Sequence, residues 1–208
     1  MALVTGPFMS LDASGTLAGT LTASHWKGRS YMRQRVIPNN PKSAAQTGVR
    51  SMLKFLGARW AVLSAPQKAS YEDDATARSI SAFNQYCSAN LTRWQQNKAP
   101  TELWPAPEAA TPLTLSTMTL TGYAGYATVV MTPSAGTDIG GYIVYRSLAE
   151  ITTPNWAQVI AVIEADGANA VTYTDSPLDA ATYHYRAQAF CDDGISGTVK
   201  ADDTVVVT

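Results

Sequence analysis

Residues 24–46 read SHWKGRSYMRQRVIPNNPKSAAQ. They carry Lys27, Arg29, Arg33, Arg35 and Lys42, with Trp26 and Tyr31 interleaved and no Asp or Glu. Between Asp12 and Glu72 the chain has nine basic residues and no acidic one. Guanidinium and ammonium groups recognise carboxylates and phosphates, and flat aromatic rings add contact area. Three roles compete for such a segment. It can be a solvated basic face. It can bind nucleic acid, with cations on phosphates and rings on bases. It can dock on an acidic protein, where charge steers and orients. Nucleic acid is disfavoured, because there is no RNA-recognition signature and no zinc-finger spacing, and the other half of the chain is acidic. Protein docking is the preferred role. The expected docking residues are Trp26, Lys27, Arg29, Tyr31, Arg33 and Arg35, joined by Arg50 and Lys54 four residues apart on a following helix.

Other chemistry is thinly represented. The two histidines, His25 and His184, are far apart in sequence, and a zinc site needs more ligands at local spacing. Glu72, Asp73 and Asp74 form a run expected on the helix that starts at Ser64, since the N-terminal half of a helix favours acids. Asp192-Asp193-Gly194 fits a hairpin turn better than a calcium loop, because oxygen ligands do not continue at alternate positions. No phosphate-cradling glycine loop or nucleophile motif occurs. No catalytic residue, metal ligand or cofactor is expected, and the chain is not expected to be an enzyme. Tyr123, Tyr126 and Trp156 could face a ligand such as a sugar, although turn and core roles compete. Cys87 and Cys191 are expected to act as two small apolar residues rather than as a disulfide.

The positioning elements follow from composition and period. The chain has 208 residues, 46% hydrophobic and 15% charged, which excludes wholesale disorder. No apolar run reaches the roughly 20 residues of a membrane helix. The N-terminal residues lack a basic head followed by an apolar stretch, so a signal peptide is not expected. Net charge is -1 but divided. Residues 1–104 hold 12 basic and 5 acidic residues, and residues 105–208 hold 3 and 11. Ala99 to Pro112 carries four prolines, which favour an extended connector. The expected organisation is therefore a basic module over 1–98, a linker over 99–112 and a second module over 113–208.

In the first module, residues 15–37 have strand character and predict a hairpin or short ribbon turning at Lys27-Gly28-Arg29. A helix is expected after Asn39-Asn40-Pro41, with Asn40 as cap and Pro41 in the first turn. Its apolar stripe is Ala45, Val49, Met52, Leu53, Leu56, Trp60 and Leu63. Ser64-Ala65-Pro66-Gln67 is a capping box for a second helix. Ile80, Phe83, Cys87, Leu91 and Trp94 mark a third stripe, whose separation from the second helix is left open. Trp60, Trp94, Phe55 and Phe83 are expected in a core. The predicted class is thus an α+β module, a β-ribbon plus a small helical cluster, followed by an all-β module. Residues 113–208 contain seven strand-like segments separated by turn signals, which suggests an antiparallel sandwich. In Thr182–Phe190, Tyr183, Tyr185, Ala187 and Ala189 share one face.

Two resemblances add to this. The succession W-K-G-R-S-Y-M-R, P-N-N-P-K-S-A-A-Q with V-R, L-S-A-P-Q-K-A-S-Y and F-N-Q-Y, over about residues 24–95, resembles a pattern in bacteriophage and prophage structural proteins. There a K-G-R-x-Y segment leads through an N-P-[KRQ]-[ST]-x-x-Q turn into a helical region. In the second half, G-Y-I-V-Y-R-S and L-D-A-A-T-Y-H-Y-R-A-Q-A-F resemble the third and sixth strands of fibronectin type III domains. On that resemblance Leu178 precedes the turn and Tyr183 is the corner tyrosine. The tryptophan usual near the end of the second strand is absent, and Met131 stands at about that place. Trp156 then either fills the core or lies in a loop. Together the resemblances imply a virion structural protein, a head decoration or a tail or collar appendage. It would dock through its basic module on other virion proteins, or on further copies of itself as a homo-oligomer, and would carry an immunoglobulin-like sandwich. The alternative is an adhesion module that binds a surface glycan through the sandwich.

Overall fold

Lys27 and Gly28 both take positive φ, 47° and 75°. Two successive left-handed residues make a tight turn whose twist matches that of the strands it joins. Around it, β3 (Leu21–Trp26) pairs antiparallel with β4 (Arg29–Gln34), with Trp26 opposite Arg29 and Leu21 opposite Gln34. The computed structural model extends the expected hairpin to a four-stranded sheet in the order β1-β4-β3-β2, with β1 at Ala2–Leu3 and β2 at Gly15–Leu17. The structure describes residues 2–3, 15–17, 19–37, 43–108, 114–134, 139–167 and 169–208. The expected cap Asn40 and first-turn Pro41 lie outside them.

The chain divides into two units, Met1–Pro41 and Lys42–Thr208. Residues 99–108, inside the expected linker, are held in the second unit by packing. Ala99, Pro100 and Thr101 are buried. Asn90 grips Thr101 from both sides: its Nδ2 donates to the Thr101 carbonyl at 3.1 Å and its Oδ1 accepts from the Thr101 N–H at 2.7 Å. Tyr71 Oη donates to the same carbonyl at 3.0 Å. Arg93 donates to the carbonyls of Ala99 and Gly194 at 2.9 and 2.8 Å. Prolines here mark an extended stretch tied to helices, not a free connector. Residues 109–113 are not among those described.

Within the second unit, α1 (Ala44–Val62) buries Met52, Phe55 and Leu56, with Val49 and Trp60 at the margin, and its C-cap Leu63 is buried with them. Leu53, placed in the expected stripe, is exposed. At 3.6 residues per turn it lies about a quarter-turn from the line through Met52, Leu56 and Leu63, and Phe55 takes the inward position. The capping box forms: the Ser64 N–H donates to Gln67 Oε1 at 2.8 Å. The second helix is short, α2 (Ala65–Ala69), and α3 (Glu72–Ala77) follows with Glu72, Asp73 and Asp74 in its first turn. Ser79 at φ 54° breaks the chain before α4 (Ala82–Gln95), whose cap is Ser81. The second and third stripes are thus on separate helices.

The remaining strands are all antiparallel. One sheet has the order β5-β6-β9, formed by Leu115–Tyr123, Tyr126–Pro133 and Val171–Asp175. The other contains β7 (Gly141–Ser147), β8 (Val159–Glu164), β10 (Ala181–Phe190), β11 (Ser196–Val199) and β12 (Asp203–Val207), ordered β11-β10-β7-β8 with β12 also on β10. The last expected strand is two, parted at Lys200–Asp202. Both sheets contribute to one core. Met131, Tyr142, Tyr185, Ala187 and Ala189 are fully buried in it, as alternation predicts for β10. The other face of the larger sheet packs on the helices: Ile143, Tyr145, Val162 and Phe190 share a cluster with Phe55, Leu56 and Trp94. Phe55 meets Phe190 edge-on at 5.5 Å. Trp60 and Phe83 pack ring to ring at 5.7 Å, and Phe83 keeps an exposed edge.

Helix α1 runs along β8. Gly48 sits against the Val159 carbonyl, and Ser51 Oγ accepts from the Val162 N–H at 2.7 Å and lies 3.4 Å from its carbonyl oxygen. Arg59 donates to Glu164 at 2.7 Å. From Gly48 to Arg59 the helix rises about 16 Å, and β8 covers about the same length from Val159 to Glu164. The two elements therefore stay in contact end to end. A methyl group at Gly48 would overlap the Val159 carbonyl oxygen, whereas a methyl at Gly57 meets nothing. Gly48→Ala is expected to destabilise by about 1–3 kcal/mol despite its better helix propensity, and Gly57→Ala to stabilise by about 0.5–1 kcal/mol. Urea midpoints of the two variants test this. Equal shifts would show that α1 does not depend on close approach at Gly48.

Candidate docking surface

The β3–β4 hairpin sorts its residues by the two-residue period of a strand. The register places Trp26 opposite Arg29, Ser24 opposite Tyr31 and Thr22 opposite Arg33, so these six share one face. Leu21, Ala23, His25, Ser30, Met32 and Gln34 share the other, where Ala23 and Ser30 are buried and Ser30 Oγ lies 3.1 Å from His25 Nδ1. The Arg35 N–H donates to the Thr20 carbonyl at 2.7 Å, which carries the alternation past the end of β4 and puts Arg35 with Arg33. Trp26 is 66% exposed, and Lys27 Nζ sits 4.9 Å from its ring centroid.

Arg29, Tyr31, Arg33 and Arg35 thus lie in a line with neighbouring positions about 7 Å apart, and Trp26 stands beside Arg29 on the adjacent strand. Residues 1–41 hold four basic residues and one acid, Asp12, which is outside the described residues. Among the described residues no carboxylate pairs with Lys27, Arg29, Arg33 or Arg35. Such a face can take carboxylates in two-pronged hydrogen bonds and bury a tryptophan in a partner's apolar socket.

The remaining expected residues are elsewhere. Arg50 and Lys54 are exposed on α1, in the second unit. Tyr123 and Tyr126 face each other across the β5–β6 turn, stacked at 4.5 Å and 10°, with Tyr123 42% exposed. Trp156 is half-buried and packs edge-on against Trp94 at 5.8 Å.

Polar clusters of the second unit join elements. Arg59 is ringed by Glu102, Glu164 at 2.7 Å and Asp192 at 3.0 Å, and Gln67 donates to Glu102 at 2.6 Å. Burial pushes the Glu102 and Asp192 carboxyls above the ordinary carboxylate range, with Arg59 opposing. Burial pulls the guanidinium the other way, but its three carboxylates prevail and hold it charged. Asp175 accepts from Arg146 at 2.7 Å and from Tyr185 at 2.8 Å. His184 Nδ1 lies 2.6 Å from Asp202. Cys87 and Cys191 are free thiols, and burial raises the Cys87 pKa. No group of three or more His, Cys, Asp or Glu could hold a metal ion among the described residues. Sequence reading missed Arg59 and Asn90. Partners of Arg59 stand up to 133 residues away, and Asn90 binds Thr101 beyond the end of its own helix, so no helical spacing signals either.

No protein-family model matches the chain, and no curated protein does. Among solved structures it is similar to the crystal structure of a β-1,2-glucanase from Parabacteroides distasonis, at 20% identity and a TM-score of 0.37. The match covers 48% of this chain and 14% of that one.

Two outcomes are expected. Lys27→Asn gives the turn its preferred Asn-Gly pair and should stabilise the hairpin, read as slower amide exchange at Ser24 and Tyr31. Exchange that quickens would mean the Lys27–Trp26 contact outweighs turn chemistry. The second concerns pH. Folding raises the Glu102 and Asp192 pKa values, so the folded chain binds more protons than the unfolded chain just above the ordinary carboxylate range. The stability they contribute therefore falls as pH rises through that window and returns as pH drops. Asp192→Asn keeps an oxygen for Arg59 and removes one titration. Its Tm should vary less with pH between about 4 and 6 than that of the wild type, and an unchanged slope would refute the assignment.

Proposed function

We propose that this chain is a non-enzymatic structural component of a bacteriophage particle, docked through the basic face of its first unit on an acidic partner and carrying a fibronectin-like β-sandwich. The observation that carries the docking role is the grouping of Trp26, Arg29, Tyr31, Arg33 and Arg35 on one face of β3–β4, with no neutralising carboxylate among the described residues. Trp, Tyr and Arg are the residue types that dominate protein interfaces. The sequence pattern over about residues 24–95 supports the phage assignment by its resemblance to virion structural proteins.

The strand order supports the sandwich. A three-stranded β5-β6-β9 sheet and a sheet of β8, β7 and β10 with β11 and β12 share one core, which suits a fibronectin type III arrangement. The Tyr183 hydroxyl donates to the Asp179 carbonyl at 3.1 Å, the contact a corner tyrosine makes. The partner is an acidic capsid, tail or adaptor protein, or a neighbouring copy. Residues 42–208 carry 15 acidic against 11 basic residues, so copies of this chain supply charge of the right sign.

A second reading, glycan adhesion, is favoured by the stacked Tyr123–Tyr126 pair, in which Tyr123 is exposed. It predicts that residues 42–208 bind host surface polysaccharide and that Tyr123→Ala abolishes binding.

Quantitative mass spectrometry of purified particles decides between the readings. Hundreds of copies against the major capsid protein place the chain on the head, and six, twelve or a small multiple place it on the tail or collar. Absence from the particle overturns the structural reading. Arg33→Glu with Arg35→Glu is expected to stop incorporation while the protein keeps its wild-type melting temperature. Normal incorporation of that variant would make the basic face only a solvated one.

A further inference from the structure

The sheet edges of the second unit are treated differently. The outer edge of β8 is met by α1 at Val159 and Val162, through Gly48 and Ser51. The edge of β5 lies against β12, so closely that a methyl at Gly122 would overlap the Val206 carbonyl. β9 is the terminal strand of its sheet, and among the described residues its outward backbone groups have no hydrogen-bond partner. The strand carries no proline, bulge or outward charge, three of the devices that blunt an edge. Its one charged residue, Asp175, is buried and held by Arg146 and Tyr185.

Beside this edge is an open cleft of about 350 Å³ between α1, β8 and β9. Ala161–Glu164 and Thr172–Thr174 line it as unbroken runs. Successive residues of a strand point to opposite faces, so an unbroken run borders a cavity only edge-on. The volume is at the lower end of the range for ligand sites, about 300–1,000 Å³. Two charges border the cleft. Glu164 is held by Arg59, whereas Lys54 is exposed and has no carboxylate partner among the described residues.

We propose that β9 is a strand-addition site. An extended, acidic peptide segment of a partner protein pairs with the open edge of β9, extends the sheet by one strand, and sets a carboxylate against Lys54. Main-chain hydrogen bonds supply the affinity and Lys54 supplies the preference. Thr172 and Thr174, exposed and β-branched, favour cross-strand pairing with β-branched residues of the incoming segment.

The test uses the full chain and a fluorescein-labelled heptapeptide, Thr-Val-Thr-Val-Thr-Asp-Glu, followed by fluorescence anisotropy. Saturable binding is expected, with slowed amide exchange confined to Thr172–Thr174 and the cleft. Two N-methylated peptides, one for each alternate set of amides, separate backbone pairing from side-chain contact, and at least one should bind about tenfold or more weakly. Lys54→Glu, at an exposed position, should weaken the parent peptide by a similar factor while the melting temperature is unchanged. No binding at about 1 mM peptide overturns the site. Equal binding of both methylated peptides overturns strand addition, and unchanged affinity in Lys54→Glu overturns the acidic occupant.

Discussion

The second unit depends on the seam between α1 and β8. Three contacts along it use different physics: van der Waals closeness at Gly48, a side-chain hydroxyl serving strand backbone at Ser51, and a charged fork at Arg59. The seam gives β8 a cover for its edge and gives α1 an apolar surface on which to bury Phe55 and Leu56. Burying each of those side chains is worth about 1.5–3 kcal/mol, so the helix is held by the sheet more than by its own propensity. The other helices are fixed through it, with Trp60 packing on Phe83 and Tyr86 of α4.

Arg59 extends the seam to two further segments, through Glu102 and Asp192. One cation among three carboxylates leaves excess negative charge in a half-buried place. This arrangement favours location over strength, because a salt bridge that loses water gains little net stability but strongly penalises misplacement. The Asn90 grip on Thr101 acts in the same way with neutral groups. Between them they turn a proline-rich stretch into part of the helical layer.

Much of this was legible in the sequence where the signal is local. The Lys27-Gly28 turn, the Ser64 capping box, the inward face of β10 and the first six strand segments of the second half all rest on spacing of a few residues, and all are present, whereas the acids expected on the Ser64 helix begin a separate α3. Legibility failed where a distant surface decides. Leu53 and Phe55 have similar claims to a helical stripe until the sheet face under α1 selects Phe55. Pro100 reads as linker until Asn90 and Arg93 fix its neighbours. Of the candidate docking residues, alternation predicts that Trp26, Arg29, Tyr31 and Arg33 share a face. It cannot group them with Arg50 and Lys54, which belong to a different unit.

The seam also has a consequence for biosynthesis. Ser51 meets Val162, and Arg59 meets Glu164, across separations of 111 and 105 residues. A ribosome adding about 5–20 residues per second emits α1 roughly 5–20 seconds before β8. Throughout that interval Met52, Phe55 and Leu56 have helices beside them but no sheet beneath them. The nascent chain therefore carries an uncovered apolar helical face until β8 emerges. Synonymous codon changes that slow translation between residues 63 and 159 would lengthen that exposure without altering a single side chain.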